Sequence, residues 1–394
     1  MRATIPARKL LFALNACAKA GGRDGSYSLY SATTAHGEHL VVTEGASAAI
    51  TRRVRTPADL HEPGAINLDG ALALRYVRAA EADAALIDIE VEQDDGGAAS
   101  LVLSTATGAA RIAARVLTPE HPEHPDHAQA ASAEQWREIE SQSPAGLAAP
   151  QNFSPLAIAL RMAAKHACPE VDATTALAAL SGIQISLIEN RIRIRGSDGK
   201  RLFETSLGIE EAAALSFAPD IHEAVLPRST IDTLCETLER TPARILVTAA
   251  MLHVVSETED LDIRLIGLPY PAARVDPETI RGGAQIVIAR ARLALSLARA
   301  AATIEQERRG GSVRIDRDAD GVMLSSTSDR IATAERISNA GGDPVSAVVN
   351  GQHLADAART LSGGEILFAV TTGGPVVIST PGNQHLRIVL AALR

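Results

Sequence analysis

Three histidines at regular spacing are, by residue type, the best candidate metal ligands in the chain. His121, His124 and His127 lie three residues apart in the stretch HPEHPDH. An extended polyproline helix has three residues per turn and would place the three imidazoles on one side. Imidazoles so arranged could bind zinc or nickel. Because the segment is a proline-rich linker with no scaffold to orient the rings, a metal-binding enzyme is an alternative and not the main hypothesis.

The segment GSDGKRLFET, residues 196–205, combines glycines, an acid and two cations. Such a segment could be a phosphate-binding loop, a metal-binding turn or the bend between two strands. A Walker loop is excluded, because the required spacing and the following helix are missing. The chain also has no G-x-S-x-G elbow and no H-E-x-x-H helix. The sequence therefore predicts no catalytic centre, no cofactor and, apart from the histidine alternative, no metal site.

Composition limits the class of protein. A chain of 394 residues is longer than one hydrophobic core usually serves, so two or three domains are expected. No apolar run is long enough to span a membrane and no signal peptide is evident, so we expect no membrane association and a cytoplasmic location. The net charge of −9 argues against a protein that coats nucleic acid with its whole surface. Any DNA contact must be local.

The three cysteines lie far apart, and their odd number argues against a disulfide framework or a zinc site. We expect Cys17, Cys168 and Cys235 to be buried free thiols.

Cations are segregated on the predicted helices. Four helical windows together hold ten Lys and Arg and no Asp or Glu, although the chain as a whole is acidic. Each helix alone would be read as an ordinary solvated face. Together, they predict a surface that faces a polyanion. The windows are residues 7–20, 71–80, 153–167 and 286–302; the predicted helices at 228–240 and 351–361 carry mixed charge.

One unit of strand, helix and strand occurs three times. The copies start at Ala65 (AINLDGALALRYVRAAEADAALIDIEVE), Ala224 (AVLPRSTIDTLCETLERTPARILVTAA) and Ala347 (AVVNGQHLADAARTLSGGEILFAVTT). A further apolar helix precedes each copy, and short alternating strands such as NRIRIRG follow. Spacings of well over a hundred residues indicate repeated domains and not a short-repeat solenoid. The sequence therefore predicts an α+β protein of three like domains.

Several segments resemble the bacterial sliding clamp, the β subunit of DNA polymerase III. LSGIQISLIENRIRIRGSDGKRLFE, from Leu180, resembles the second-domain run of that family, which ends in a T-D-G-H-R-L-type turn. AVLPRSTIDTL is similar to its V-P-R-K helix start, and GLPYPAARVDP to its G-R-F-P-D-Y-x-R-V-x-P segment. ARAAATIEQERRGGSVRI resembles the opening of the third domain, and AKAGGRDG the first-domain loop that approaches DNA.

The resemblance implies a DNA-clamp fold with helices lining a hole and β-sheets outside. Domain 1 would span 1–128, a linker 129–149, domain 2 150–278 and domain 3 284–394. Two chains would close head to tail into a homodimeric ring around duplex DNA. The ring would bind DNA without reading its sequence, and would hold DNA polymerase III, the clamp loader and repair proteins through their short linear motifs.

The resemblance also implies two sets of site residues. Arg23 matches the family loop that contacts DNA; charge segregation alone adds the other predicted DNA contacts, which are Arg8, Arg75, Arg78, Arg161, Lys165, Arg292 and Arg299. A hydrophobic pocket would take the partner peptides. Its matched residues are Leu180, Ser197, Gly199, Lys200, Arg201, Leu202, Tyr270, Pro271, Arg274, Val275, Ile388 and Leu390.

Two departures from the family pattern leave a second alternative open. The tail IVLAALR lacks the proline and methionines of the usual V-M-P-M-R-L ending, and Ala301, Ala302 and Thr303 stand where larger aliphatic residues often help to close the ring. The chain could therefore be a clamp-like scaffold that binds partners without encircling DNA.

Overall fold

The computed structural model describes most of the chain. The described residues are 1–21, 26–33, 39–82, 84–94, 97–117, 148–169, 178–209, 212, 215–271, 283–306, 311–327, 331–339 and 341–393.

Six α-helices occur among these residues. Two begin at side-chain caps: the Asp69 carboxylate accepts from the amides of Ala71 and Leu72, and the Asn350 amide oxygen accepts from the amide of His353. The helices are α1 (Ala7–Gly21), α2 (Gly70–Ala80), α3 (Ser154–His166), α4 (Ile231–Arg240), α5 (Arg290–Gln306) and α6 (Gly351–Thr360), with short 3₁₀ turns at Pro150–Phe153, Ala178–Ser181 and Arg228–Thr230.

Twenty-five strands make up the rest of the regular structure in the described ranges. They are β1 (Arg2–Pro6), β2 (Ser26–Thr33), β3 (His39–Ala46), β4 (Ile50–Pro57), β5 (Asp59–Glu62), β6 (Ala65–Asp69), β7 (Leu86–Gln93), β8 (Ala99–Thr105), β9 (Gly108–Val116), β10 (Gly182–Ile188), β11 (Arg191–Ser197), β12 (Arg201–Gly208), β13 (Leu215–Phe217), β14 (Glu223–Pro227), β15 (Ala243–Val247), β16 (Met251–Ser256), β17 (Glu259–Arg264), β18 (Ala284–Ala289), β19 (Ser312–Asp318), β20 (Gly321–Thr327), β21 (Ala332–Ser338), β22 (Val345–Asn350), β23 (Glu365–Val370), β24 (Val376–Thr380) and β25 (Asn383–Leu390).

The three predicted strand–helix–strand units are confirmed as β6–α2–β7, β14–α4–β15 and β22–α6–β23. One helix start was wrong. The window 286–302 was expected to be helical throughout, but Ile286 and Ile288 belong to β18 and are buried on one side of it. Pairing with β23 holds this stretch extended, and the helix begins only at Arg290. The prediction failed because the apolar residues Ile286 and Ile288 fit a helical pattern as well as an alternating one.

The chain divides into two compact units. The first comprises Met1–Ala157 and Ala212–Leu265. Its sheet runs in the order β13-β15-β16-β17-β4-β3-β2-β6-β9-β8-β7-β1-β5. The helices α1 and α2 bury one face, including Leu10, Leu14 and Val77, against strand residues such as Ile87 and Leu101. This packing leaves the opposite faces of both helices exposed.

An ionic network crosses this sheet where β4 pairs with β17. Arg52 on β4 and Glu259 on β17 are 0% and 1% exposed, and Arg52 Nη2 lies 2.7 Å from Glu259 Oε2. Arg53 donates to Asp262 on β17 at 2.8 Å, and Arg55 pairs with Asp260. These contacts join segments that are more than 200 residues apart in sequence. The β4–β17 seam is therefore charged and buried, unlike the apolar core below the helices.

The second unit comprises Ile158–Glu211 and Ile266–Arg394. In one sheet, the strands β10, β11, β12, β25, β24, β23 and β18 follow one another. A separate four-stranded sheet has the order β21-β20-β19-β22. The helix α5 packs on β20 and β21 of this sheet and against α6.

The cysteine prediction holds for two of the three thiols. Cys17 and Cys235 are buried, whereas Cys168 is only half-buried. Burial raises the pKa of the Cys17 thiol to about 12, so it stays protonated and unreactive at neutral pH. A search of the described helices for a membrane-spanning candidate found none.

Candidate functional site

The segment 196–205 contains the hairpin turn between β11 and β12, at residues 198–200. The carboxylate of Asp198 accepts from the amides of Lys200 and Arg201 at 2.9 and 3.0 Å, and the Ser197 hydroxyl donates to Arg201 O at 2.7 Å. Gly199 adopts φ +83°, a left-handed conformation that favours glycine. The turn is thus closed by its own side chains, and the glycine is required by the backbone.

Apolar side chains lie directly beside this turn. A Cβ on Gly199 would lie 3.7 Å from Leu180 Cδ1. The backbone amide of Cys168 donates to both Leu180 O and Ser197 O, which fixes the 3₁₀ turn against the end of β11. Leu202, two residues after the turn, packs in a small cluster with Val377 and Val389. The predicted residues Leu180, Ser197, Gly199 and Leu202 are therefore brought together.

The last strand, β25, runs beside the turn. In the β12–β25 pairing, Arg201 lies opposite Leu390 and Phe203 opposite Ile388, and both Leu390 and Ile388 are buried. After the strand, Ala391 donates to Lys200 O at 2.8 Å. The altered tail thus still runs beside the turn, although it lacks the family's proline and methionines.

Tyr270 closes another side. Its ring is buried, and Pro271 after it is exposed. Burial raises the pKa of the Tyr270 hydroxyl, which lies beside the Arg195 cation and the Ser197 backbone. We call the described members of this group the candidate pocket: Leu180, Ser197, Gly199, Lys200, Arg201, Leu202, Tyr270, Pro271, Ile388 and Leu390. Two predicted members, Arg274 and Val275, lie outside the described residues.

Arg201 ties the candidate pocket to two helices. Its Nε donates to Asp198 Oδ2 at 3.0 Å and its Nη1 to Asp356 Oδ2 of α6 at 2.8 Å. Its Nη2 donates to the carbonyl of Lys165 near the end of α3 at 3.3 Å. The guanidinium is therefore fully engaged within the protein, so Arg201 orients the turn and is not a free charge for a ligand.

A buried histidine supports the same region from below. His166 stacks on Phe203 with ring centroids 5.5 Å apart. Burial, with the nearby Arg201 cation, lowers the pKa of His166 to about 4. The ring is therefore neutral at physiological pH. Close packing of α3 is possible because β11 carries Gly196, where a Cβ would come within 2.1 Å of Ala163 O.

The sequence did not identify His166, Phe203, His353 or Asp356 as part of this site. His353 faces Asp198 at 3.9 Å, and burial lowers its pKa. Asp356 is 155 residues from Arg201 in the chain, so no local pattern could have linked the two. Asn350 caps α6, the helix that carries His353 and Asp356.

The predicted DNA-contact cations of the first unit lie on exposed helix faces. Arg8 on α1 and Arg75 and Arg78 on α2 are exposed. The two helices pack together, and Arg78 Nη2 donates to Asn15 Oδ1 of α1 at 2.8 Å. Arg23 lies outside the described residues. The structure thus places Arg8, Arg75 and Arg78 on neighbouring exposed helix faces.

Helix α4 carries acids close to α1. Lys19 of α1 pairs with Glu236 at 2.7 Å, and the Arg240 guanidinium lies 4.7 Å from the centroid of the exposed Phe12 ring. An acidic and a basic side chain of α4 therefore both contact α1, which accounts for the mixed charge of α4.

The remaining predicted cations are in the second unit. Arg161 is half-buried and Lys165 exposed on α3. Arg292 and Arg299 on α5 are exposed, yet both contact Glu335 of β21 at 2.8 Å. Their charges are therefore partly neutralised within the chain, which the sequence did not predict.

No cluster of three or more metal-binding side chains occurs in the described ranges. The histidines His121, His124 and His127 lie outside those ranges.

The fold is similar over its whole length to several solved structures. The DNA polymerase III subunit beta from Pseudomonas aeruginosa matches with a TM-score of 0.79 and 17% identity, covering 100% of both chains. Caulobacter crescentus pol III beta matches with a TM-score of 0.78 and 18% identity, again over 100% of both chains. The DNA polymerase sliding clamp from Bacillus subtilis gives 0.76 and 16%, covering 100% of this chain and 99% of that one.

Sequence comparison alone does not reach this likeness, since no family model and no curated protein matches the chain. The order of elements, the repeated strand–helix–strand units and the full-length structural match agree with one another. The chain has the fold of the bacterial DNA polymerase III β sliding clamp, in a divergent form.

Proposed function

We propose that the protein is a sliding clamp, a DNA polymerase processivity factor without catalytic activity or cofactor. Two chains would form a ring around duplex DNA in the cytoplasm. The ring would hold DNA polymerase III, the clamp loader and repair proteins. The observation that carries this proposal is the fold likeness to sliding clamps over the full length of both chains.

The exposed cations on α1 and α2 support a contact with the DNA backbone. Arg8, Arg75 and Arg78 can attract phosphates without reading bases. Their number is small and the chain as a whole has a net charge of −9, so these contacts would be weak. Weak contact suits the proposal, because a closed ring is retained by enclosure and must still slide.

Two strand edges support ring closure. On one side of β9, residues Gly108–Ala114 pair with β8. On the other side, only residues Ala114–Val116 pair, and their partner is β6. Among the described strands, the first part of β9 is therefore an open edge, and β21 is the last strand of its own sheet. Open edges favour pairing with another chain. We propose that β9 of one chain pairs with β21 of the other, head to tail.

Each chain would contribute three domains to that ring, at 1–128, 150–278 and 284–394, with the linker 129–149 after the first. The three observed strand–helix–strand units support this division.

The candidate pocket supports the tethering role. Leu180 lies beside a glycine turn that leaves the backbone accessible, Tyr270 is buried near Ser197, and Leu202 packs with Val377 and Val389. Apolar groups beside an exposed turn fit a short peptide with apolar anchors.

Replacing Gly199 with valine should weaken peptide binding by about tenfold or more, because the new side chain would fill the space next to Leu180 Cδ1. The measurement is the fluorescence anisotropy of a labelled peptide from the clamp-binding segment of a DNA polymerase III. Gly97→Val is the matched control, since Gly97 also has φ +83° but nothing lies within 4 Å of its Cβ position. Equal losses in both variants would count against the candidate pocket.

The ring itself is tested by topology. With a clamp loader and ATP, the protein should load onto a nicked circular plasmid, co-elute with it on gel filtration, and be released when the plasmid is linearised. Release by cutting is expected only of a protein that encloses the duplex. Retention that survives linearisation, or a monomer at micromolar concentration with no retention, would instead support a scaffold that does not encircle DNA.

A further inference from the structure

Two arginines on α5 converge on one carboxylate. Arg292 and Arg299 are seven residues apart, so they lie on one face of the helix over two turns. Arg292 Nη2 and Arg299 Nη1 each lie 2.8 Å from the same oxygen, Glu335 Oε1. The geometry is that of an anion-binding site, and the anion in it is the protein's own side chain.

The acceptor is held in place by its strand. Glu335 lies on β21, the strand on which α5 packs, and its side chain is 19% exposed. Partial burial would raise the pKa of Glu335, but the hydrogen bond from Arg299 and the charges of Arg292 and Arg299 outweigh this and lower it. The group is therefore an anion at neutral pH, with one negative charge facing two positive ones.

The contact is weak enough to exchange. The arginine side chains are 44% and 57% exposed, and exposed ion pairs contribute little to stability because solvent screens them. A phosphodiester oxygen offers the same geometry as a carboxylate oxygen, and counterion release adds to its binding. A phosphate can therefore compete with Glu335 for Arg292 and Arg299, and this competition keeps its contact with the two arginines weak in the wild type.

We propose that Arg292 and Arg299 form a binding site for a DNA backbone phosphate that Glu335 occupies in the absence of DNA. This rests on the proposed clamp function and adds to it an internal competitor that keeps the duplex contact on this helix weak. Glu335 acts by holding the two arginines and does not itself contact the DNA.

The test is the salt dependence of duplex binding by the full-length protein. Fluorescence anisotropy of a short fluorescein-labelled duplex is measured between 50 and 200 mM salt for the wild type and for Glu335→Gln. The amide removes the charge but keeps the shape. Two freed cations should steepen the slope of log K against log salt by up to about 1.8, because each phosphate contact contributes about 0.9. The ratio of the binding constant of Glu335→Gln to that of the wild type should then fall about tenfold between 50 and 200 mM salt.

Two comparisons separate the site from a general charge effect. Glu189→Gln removes one exposed carboxylate from the β10–β11 turn of the same unit and should leave the slope unchanged. Replacing Arg292 and Arg299 with alanine should change binding little in the wild type but abolish the gain in Glu335→Gln. Thermal unfolding of each variant verifies that it is folded.

The proposal is overturned if Glu335→Gln behaves like Glu189→Gln, or if the double alanine variant weakens wild-type binding as much as it weakens Glu335→Gln. Retention on nicked circular DNA, measured in parallel, distinguishes a failure of the phosphate-site proposal from a failure of the clamp proposal. A wild type that is retained while Glu335→Gln shows no change rejects the phosphate site and leaves the clamp function standing.

Discussion

Replacing Ala113 with proline is expected to convert the dimer to a monomer and to abolish retention on circular DNA. The amide of Leu117 at the end of β9 donates to Ala65 O, on the side away from β8. Strand amides alternate in direction, so the amide of Ala113 points to the same side, at the open edge. Proline there removes this donor from the edge of β9 and places its ring in the path of an incoming strand. The dimer dissociation constant should rise by about a hundredfold or more, which is about 3 kcal/mol.

Sedimentation velocity over a concentration series measures this change. Ala113→Val is the matched control, because valine adds side-chain bulk on an exposed strand position but keeps the amide donor. An unchanged melting temperature would show that β8 and β9 remain paired in the proline variant. If the proline variant remained a dimer as tight as the valine variant, the edge of β9 would not be the subunit interface.

Replacing Glu259 with alanine is expected to destabilise the β4–β17 seam by about 3–5 kcal/mol. Arg52 is fully buried, and both its Nε and Nη2 donate to Glu259 Oε2, at 3.1 and 2.7 Å. Loss of the carboxylate leaves a guanidinium in the interior without a counter-charge. Because a chain of this size need not unfold in one step, the appropriate measurement is native-state hydrogen exchange of the β4 and β17 amides.

The double variant Arg52→Met with Glu259→Leu is the control for this effect. It removes both charges and fills the space with apolar groups, so most of the lost stability should return. Protection factors that fall equally in the single and the double variant would show that the strand pairing depends on side-chain shape and not on the charge balance.

The fold could be predicted because its local signals repeat. Alternating apolar residues marked strands such as β11, and the apolar helix that precedes each repeated unit marked α1, α3 and α5. The resemblance then supplied what no single pattern provides, the grouping of these elements into a clamp fold. The start of α5 was misplaced because Ile286 and Ile288 satisfy a strand period as well as a helical one.

The candidate pocket was predicted in part, for a related reason. The members Ser197, Gly199 and Leu202 lie in one continuous segment, so a motif could find them. Asp356 and Glu335 could not be found in this way, because each acts on a side chain far away in sequence. Charge segregation correctly placed Arg292 and Arg299 on an exposed helix, but counting cations along a helix cannot show that a carboxylate on a strand already pairs with them.

The unequal exposure of the three cysteines has a practical consequence. Cys17 and Cys235 are shielded from reagents, while Cys168 is half-buried and its amide bridges Leu180 O and Ser197 O. A thiol-specific fluorophore would therefore attach selectively at Cys168, next to the segment where a partner peptide would dock. The unmodified sequence thus already contains a labelling position, and the emission of a dye attached there would report the occupancy of the peptide site.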